Sequence, residues 1–296
     1  MPWPLFNRPS IQLGALKAYL DQAAGDWLQV DLFHPYLALA RLLGTDLYHW
    51  TSQQVWICEA LYAPLLFPDR RSQAEKVVQS QLRRTTPPGR FAFTEVHERL
   101  KAHLEDWLLA VDWRGYQLIG FSVCFNQLFS SLAAASQLKA KHPASRIVFG
   151  GSFCAPAVAT SILRTFSCLD YTISGEGEAP LLELCRYLVG RQEALPASVA
   201  SRNNTGGTTD APAQLSSLHE LPTPDYRSYF ADMRREFTGE PFIPVLPLEF
   251  SRGCWWGKCA FCNLNLQWHG YRAKRAAQVT QEVLGLSEQF DCLDFA

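Results

Sequence analysis

Short apolar runs alternate with segments of helical length between Tyr116 and Val189, and this alternation constrains the fold more than any other feature of the sequence. The successive segments are Leu118–Phe125, Ser131–Lys141, Ile147–Phe149, Val158–Phe166, Tyr171–Ser174 and Pro180–Val189. Strands of a few residues that alternate with helices of about ten residues are typical of β-α-β units and a parallel sheet. The sequence therefore predicts a doubly wound parallel α/β domain.

A helical layer is predicted ahead of the sheet, over residues 36–112. Apolar side chains recur there at spacings of three and four residues, as they do on one face of a helix. The segments with this spacing are Leu37–Leu43, Val55–Leu66, Ala74–Leu82 and Val96–Val111. Ser10–Ala23 predicts a further helix, and the alternating pattern of Trp27–Phe33 predicts a strand.

The length of 296 residues favours two domains over one. We expect a first domain over residues 1–190, with the helical layer as an insertion. Residues 191–240 contain a stretch rich in Ala, Ser, Thr, Asn and Gly, which indicates a linker. A new apolar run then begins at Ile243, so that residues 241–296 start a second domain.

The charge balance excludes some classes of partner. Lys and Arg number 27 and Asp and Glu number 28, so no net charge draws the chain to nucleic acid or to an anionic membrane. No apolar stretch is long enough to span a bilayer, and the first residues lack the pattern of a secretory signal. We therefore expect a cytoplasmic protein whose nine cysteines are thiols or metal ligands rather than disulfides.

Three cysteines stand close together directly after the strand-like run that ends at Phe250. Cys254, Cys259 and Cys262 have the spacing C-x4-C-x2-C. Thiolates at such a spacing bind an iron–sulfur cluster or zinc. Three ligands would leave one iron of a [4Fe–4S] cluster open to a small molecule.

A structural zinc site would need a fourth ligand, which Cys292 or His269 could supply. These are weak, scattered candidates for that role, whereas the bulky Trp255, Trp256 and Phe261 stand among the thiols of the motif. The sequence therefore favours the cluster over zinc, and plain buried thiols are the third alternative.

Small or polar residues follow the three central strands of the predicted sheet, at Ser122–Gln127, Gly150–Ser152 and Ser174–Glu178. Ligands of open α/β sheets bind outside the carboxyl ends of the strands, where glycine allows close approach. The sequence lacks a G-x-G-x-x-G motif after a strand, and Glu176 and Glu178 would repel a pyrophosphate. A ligand other than a dinucleotide is therefore expected.

The cysteine motif, with its Gly253-Cys254 start and Ala260-Phe261-Cys262 end, resembles the cluster loop of radical S-adenosylmethionine (SAM) enzymes. That family most often has three residues between its first two cysteines, and this chain has four. In the family, SAM chelates the open iron of a [4Fe–4S] cluster and is cleaved to a 5′-deoxyadenosyl radical. The resemblance implies that Phe261 lies against the adenine of SAM.

The strand-end loops resemble the flavodoxin- or Rossmann-like cobalamin-binding domain that precedes the radical SAM barrel in one large subclass. The cobalamin contacts that this implies are Asn7, Arg8, Ser122, Phe125, Asn126, Gln127, Gly150, Gly151, Ser152, Gly175, Glu176, Gly177 and Glu178. The D-x-H-x-x-G motif that supplies a histidine to cobalt is absent. We therefore expect no imidazole on cobalt, with Asn7 or Arg8 facing the lower side of the corrin. The alternative for Arg8 is a solvated loop arginine, and the alternative for the strand-end loops is that they are only tight turns.

These resemblances imply a cobalamin-dependent radical SAM enzyme that transfers a methyl group to an unactivated carbon. Among such enzymes, this chain most resembles those associated with ribosomal peptide maturation, which implies a peptide substrate. The family resemblance also implies an electron donor protein. A complete barrel uses about 250 residues, and residues 241–296 would supply only its first units. The alternative is a non-catalytic corrinoid- or zinc-binding protein left by truncation.

Other chemically active side chains have simpler interpretations. The histidines are interpreted as surface or capping residues, and they are His34, His49, His97, His103 and His142. The aromatic residues of the helical layer are interpreted as core rather than as a cofactor site, and they include Trp50, Trp56, Tyr62 and Trp107.

Overall fold

The computed structural model describes residues 1–202, 213–240, 242–262 and 268–296. Among these residues, no helix is both long enough and apolar enough to cross a membrane.

The helical layer predicted for residues 36–112 is confirmed. It is preceded by helix α1 (Ile11–Ala24), whose N-terminus is capped by Ser10: the hydroxyl accepts a hydrogen bond from the amide of Leu13. The helices of the layer are α2 (Pro35–Leu43), α3 (Thr45–Ser52), α4 (Val55–Leu66), α5 (Arg71–Leu82) and α6 (Phe93–Ala110).

A four-stranded mixed sheet follows the helical layer. Strands β1 (Leu118–Ser122), β2 (Arg146–Gly150) and β3 (Tyr171–Ile173) run parallel, and β4 (Val199–Ser201) pairs antiparallel with β3. The connecting helices are α7 (Leu128–Lys141), α8 (Pro156–Thr165) and α9 (Glu178–Leu188). The predicted parallel α/β arrangement is therefore confirmed.

The strand order in this sheet is β1-β2-β3-β4. A doubly wound sheet requires a point at which the strand order reverses. The described strands contain no such point, because every connection steps to the next position in the same direction. The doubly wound part of the fold prediction is therefore not seen in the described residues.

The central strand β2 explains why the sheet needs a cover on both faces. Ile147, Val148 and Phe149 are all buried, as is typical of a parallel strand in the middle of an α/β sheet. Phe149 belongs to the large core shared with the helical layer, whereas Val148 packs with Ile173 in a smaller cluster on the other face.

The segment Trp27–Phe33, predicted as a strand, is an irregular connection. Leu28 and Val30 instead pack against the small cluster that contains Leu20 and Leu182. The alternation of apolar residues therefore reflects one-sided packing, and the strand prediction was wrong because no other strand lies alongside to pair with this segment among the described residues.

The C-terminal segment forms a hairpin and one strand–helix–strand crossover. Strands β5 (Ser251–Gly253) and β6 (Tyr271–Ala273) pair antiparallel, and helix α11 (Ala276–Phe290) follows. Leu246 then pairs in parallel with Phe295: the Leu246 amide donates to the Asp294 carbonyl at 2.8 Å, and the Ala296 amide donates to the Leu246 carbonyl at 3.0 Å. This pairing is that of a β/α unit.

The crossover packs into the same core as the helical layer. Leu246, Leu286 and Cys292 belong to the cluster that also contains Tyr36. The segment predicted as a linker contributes β4 and helix α10 (Arg227–Glu236) to the packed structure. In this helix, Phe230 stacks on Phe290 of α11 with the ring centroids 4.2 Å apart.

Two histidines and one tryptophan differ from their predicted environments. His34 is buried with its Nδ1 3.2 Å from an Asp232 carboxylate oxygen, and His97 is buried with its Nδ1 2.8 Å from the Leu61 carbonyl. The surface interpretation was therefore wrong for both, because each ring has a specific polar partner in the interior. Trp56 is 66% exposed, so the core interpretation was wrong for this residue.

The shared core generates a stability prediction. We expect Leu246→Ala to lower the free energy of unfolding of the whole chain by about 2–5 kcal/mol, since Leu246 is fully buried. Ile243→Ala is the matched control, because Ile243 is largely exposed and its truncation should cost less than about 0.5 kcal/mol. Chemical denaturation checks both values, and equal values for the two variants would contradict a shared core.

Candidate functional site at the carboxyl edge of the sheet

The carboxyl ends of β1 and β2 meet at one edge of the sheet. Ser122 is the register partner of Gly150, and the Val123 amide donates to the Gly150 carbonyl at 2.7 Å. Beyond the strands, the Phe153 amide donates to the Val123 carbonyl at 3.1 Å. The structure therefore brings the first two predicted loops together, and β3 places Ser174 next in order along the same edge.

Gly151 is required by the backbone. Its φ is +93°, and a Cβ atom there would lie 2.7 Å from the Val123 carbonyl oxygen. A Cβ on the neighbouring Gly150 would make only ordinary contact, 3.8 Å from Ile173. The two glycines therefore differ: the backbone at Gly151 admits no side chain without strain, whereas Gly150 would admit a Cβ in ordinary contact with β3.

In the loop after β1, two predicted ligand contacts are engaged within the protein. The Asn126 side-chain amide donates to the Ser52 carbonyl at 2.7 Å, and the buried Gln127 accepts from the Cys124 amide and donates to the Met1 carbonyl. These side chains hold the loop against the helical layer and the N-terminal segment. Phe125 differs from them, because it is 65% exposed.

The N-terminus of α7, which follows this loop, is occupied by an internal carboxylate. Glu59 of α4 accepts hydrogen bonds from the amides of Leu128 at 3.0 Å and Phe129 at 2.8 Å. Burial raises the pKa of Glu59, although these two hydrogen bonds oppose the rise. The amides at the positive end of this helix are therefore bonded to the Glu59 side chain. No local sequence pattern predicts this contact, because Glu59 lies about 70 residues before the helix.

Residues 1–9 are held by buried hydroxyl groups. The side chains of Tyr36, Tyr48 and Tyr229 donate to the carbonyls of Arg8, Pro4 and Phe6 at 2.8–3.0 Å. The Asn7 carbonyl accepts from the Val245 amide at 2.9 Å, so this segment also contacts the C-terminal part.

Arg8 is half-buried, and its Nε is fully buried without a hydrogen-bond partner among the described residues. A guanidinium nitrogen in this state differs from that of a solvated loop arginine. The Nε of Arg8 is thus a buried donor that no group in the described part of the chain satisfies.

The third loop contains a buried network of acidic and basic side chains. Glu176 pairs with Arg272 at 2.6 Å and with Arg252 at 3.3 Å, and Arg252 pairs with Glu178 at 2.6 Å. Arg252 also contacts Glu249 at 2.7 Å. The Glu176 and Glu178 carboxylates are therefore committed to arginines rather than presented to a ligand, and the interpretation that they would repel an anion omitted these partners.

The charges in this network reinforce one another. Burial opposes ionisation of Glu176, but hydrogen bonds from Arg272 and the Leu215 amide, together with the charge of Arg252, hold the pKa of Glu176 below its ordinary value of 4.5. Burial likewise opposes the charge of Arg252, but the hydrogen bonds to Glu249 and Glu178 raise the pKa of this arginine. Glu176 and Arg252 are thus both charged at neutral pH.

Residues 213–215 connect the acidic loop to the hairpin. The Glu176 amide donates to the Ala213 carbonyl at 2.8 Å, and the Leu215 amide donates to a Glu176 carboxylate oxygen at 2.7 Å. Between them, the Gln214 side chain exchanges two hydrogen bonds with the backbone of His269. This segment therefore contacts both the acidic loop and the cysteine loop.

The three motif cysteines lie between β5 and β6. The Cys254 amide donates to the Gly270 carbonyl at 3.1 Å, and the Cys262 amide donates to the Cys259 carbonyl at 3.2 Å. All three are half-buried and free of disulfides, whereas Phe261 is 92% exposed. Among the described residues no three His, Cys, Asp or Glu side chains are grouped to hold a metal ion, so convergence of these thiols stays a prediction.

One of the two residues considered as a fourth zinc ligand is engaged elsewhere. Cys292 is buried, and its thiol donates to the Pro244 carbonyl at 3.2 Å. His269 remains at the end of the cysteine loop, where its backbone pairs with Gln214.

Comparisons with known proteins return a limited likeness. No protein-family profile matches the chain, and no curated protein matches it significantly. Two solved structures of the radical SAM methyltransferase TsrM from Kitasatospora setae are similar in part. The one with cobalamin and a [4Fe–4S] cluster bound has a TM-score of 0.48 and 16% identity, over 66% of this chain and 39% of that chain.

The TsrM structure with a tryptophan substrate and the SAM analogue aza-SAM has a TM-score of 0.43 and 17% identity, over 66% of this chain and 38% of that chain. The match thus spans under two-fifths of the neighbour's length. Likeness at this level does not establish a family or a function.

The acidic loop generates a prediction about pH. Because the native pKa of Glu176 is lower than its ordinary value of 4.5, its stabilisation is fully present above that pH and is lost as the pH falls through the native pKa. We therefore expect Glu176→Gln to weaken the fall in the free energy of unfolding below pH 4.5. Denaturant titrations across this range measure the slope, and a slope equal to that of the unchanged protein would contradict the assignment.

Proposed function

We propose that the chain carries the cobalamin-binding and cluster-binding parts of a cobalamin-dependent radical SAM enzyme that acts in the cytoplasm. One observation carries the proposal. Arg252 and Arg272, at the two ends of the cysteine loop, are bound to Glu176 at the carboxyl edge of the sheet. A cluster held by the cysteines and a ligand held at the strand ends would therefore be neighbours.

The donor set fits an iron–sulfur cluster. Three cysteines that form no disulfide occur within one loop, they are half-buried, and the other described cysteines of the chain lie outside this loop. Soft thiolates are the usual protein ligands of such clusters. When bound, the cluster supplies the electron that cleaves SAM, and cobalamin supplies the methyl group. In this proposal Cys254, Cys259 and Cys262 hold the cluster, and the exposed ring of Phe261 lies against the adenine.

The edge of the sheet fits a large ligand with many amide groups. The hydroxyls of Thr172 and Ser174, on and just after β3, are buried without a hydrogen-bond partner among the described residues. Gly150 ends β2 without a side chain, and Phe125 offers an exposed apolar ring. Buried polar atoms are normally hydrogen-bonded, so the unpaired hydroxyl of Ser174, just after the end of β3, suits a polar ligand, whereas Thr172 lies in the middle of the strand.

The absence of an imidazole on cobalt is also part of the proposal. The buried His34 and His97 are engaged with Asp232 and with the Leu61 carbonyl. Arg8, whose Nε has no partner in the described part of the chain, faces the lower side of the corrin in this proposal.

The substrate and partner proposals follow from the motif resemblance. We propose methyl transfer to an unactivated carbon, with a peptide as substrate and a protein as electron donor. Trp255 and Trp256 are exposed beside the cysteines, and aromatic side chains at such positions suit contact with a partner molecule.

The cluster proposal is tested by anaerobic reconstitution with iron and sulfide. We expect Cys254→Ala, Cys259→Ala and Cys262→Ala each to abolish iron uptake, because each removes one of three ligands. Cys185→Ala is the matched control, since that thiol is buried on α9 and should leave iron uptake unchanged. Iron analysis and visible absorption measure the outcome. Equal iron in all four variants, or uptake of zinc in preference to iron, would contradict the proposal.

The cobalamin proposal is tested at Gly150. We expect Gly150→Val to weaken hydroxocobalamin binding at least tenfold, about 1.4 kcal/mol, because the added side chain would lie at the strand end where the corrinoid is proposed to bind. Gly120→Val, in the middle of β1, is the matched control and should leave binding unchanged. Gly151 is unsuitable for this test because any side chain there would strain the backbone.

Spectral titration measures the affinity of both variants, and thermal unfolding checks that both are folded. Unchanged affinity in a folded Gly150→Val variant would place the corrinoid elsewhere.

A further inference from the structure

Arg252 and Arg272 form the neck of the cysteine loop. They are register partners in the β5–β6 hairpin, one before and one after the motif. Like charges directly opposite each other on neighbouring strands repel, so the pair needs a counter-charge. Glu176 supplies it, since one carboxylate oxygen lies 2.6 Å from Arg272 Nη2 and the other lies 3.3 Å from Arg252 Nη1.

Glu178 adds a second contact at the same neck. Its carboxylate lies 2.6 Å from Arg252 Nη2, and Glu249 holds the Nε of the same guanidinium at 2.7 Å. Arg252 therefore has its orientation fixed from three sides, by Glu176, Glu178 and Glu249. The planar guanidinium with its fixed donors makes such contacts directional.

The neck also permits little variation in the backbone. Gly253 has a φ of +83°, and a Cβ atom there would lie 2.0 Å from the Gly270 carbonyl oxygen. The two backbones are thus in close contact immediately inside the arginine pair. Tilting of the hairpin against the sheet would therefore carry the whole cysteine loop with it.

We propose that Glu176 and Glu178 are positioning residues for the cysteine loop, which hold its arginine neck at a fixed place beside the strand-end loops. They act through Arg252 and Arg272 and touch none of the cysteines in this role. The inference deepens the proposed function and rests on it in one respect, namely that the cysteines hold a cluster. The placement of the neck itself can be tested in the apo chain.

The first experiment is amide hydrogen exchange of the apo chain. In Glu176→Gln, we expect exchange at Cys254, whose amide is bonded to the Gly270 carbonyl, to accelerate at least tenfold, while the amides of β1 and β2 keep their rates. Glu183→Gln is the matched control. Glu183 lies on α9, close to Glu178 in sequence, and forms no ion pair within the described part of the chain. Its exchange should equal that of the unchanged protein.

The second experiment is iron–sulfide reconstitution of the same variants. We expect Glu176→Gln to take up at most half the iron of Glu183→Gln. We also expect a changed electron paramagnetic resonance spectrum of the reduced cluster, which a general loss of stability would not produce. If Glu176→Gln is unfolded by circular dichroism, Glu178→Gln replaces it, because Arg252 then keeps Glu176 and Glu249 as partners.

The outcomes separate the two proposals. If the unchanged protein takes up no iron, the proposed function fails, and the exchange rates still decide whether the glutamates hold the neck. If the hairpin amides of Glu176→Gln exchange at the same rates as those of Glu183→Gln, the positioning role is overturned. Exchange that accelerates equally in β1, β2 and the hairpin also overturns it, because the glutamates would then stabilise the fold in general.

Discussion

Burial of the Glu176 carboxylate is the constraint on which the arrangement of the candidate site depends. An isolated carboxylate in a protein interior costs several kcal/mol, so the loop after β3 is stable in its position only with both arginines present. The converse holds most strongly for Arg272, whose ion pair in the described part of the chain is with Glu176, whereas Arg252 would keep Glu178 and Glu249 as partners. The sheet and the cysteine hairpin are therefore mutually dependent, and the core shared through Leu246 adds an apolar interaction to the ionic one.

Much of the fold could be predicted from local patterns. Three- and four-residue periodicity predicts the helical layer, and continuous apolar runs such as Ile147–Phe149 predict parallel strands, because each pattern depends on neighbours a few residues apart. Trp27–Phe33 shows the limit: its alternation satisfies the strand pattern, but a strand also needs a partner, which is a non-local condition. The Glu176–Arg272 pair joins residues 96 positions apart, so no local pattern reveals it.

The candidate site was predictable to a similar extent. Small residues at strand ends placed Ser122 and Gly150 correctly at one edge, because the ends of parallel strands must meet. The roles of individual side chains were less predictable: Asn126 and Gln127 are polar residues in a predicted ligand-binding loop, yet they bond to backbone carbonyls of distant segments. Polar composition alone does not distinguish a side chain that awaits a ligand from one that fixes a loop.

The three loops are held by different parts of the chain, and this bears on affinity. The loop after β1 is held through Asn126 by the helical layer, and the loop after β3 is held through Glu176 by the hairpin. Between them, Gly151 closes tightly on the backbone of Val123. A ligand at this edge would meet loops whose conformations are already fixed by the protein, so little of its binding free energy would be lost in ordering them. The internal contacts of Asn126, Gln127 and Glu176 would therefore favour binding of such a ligand by preorganisation.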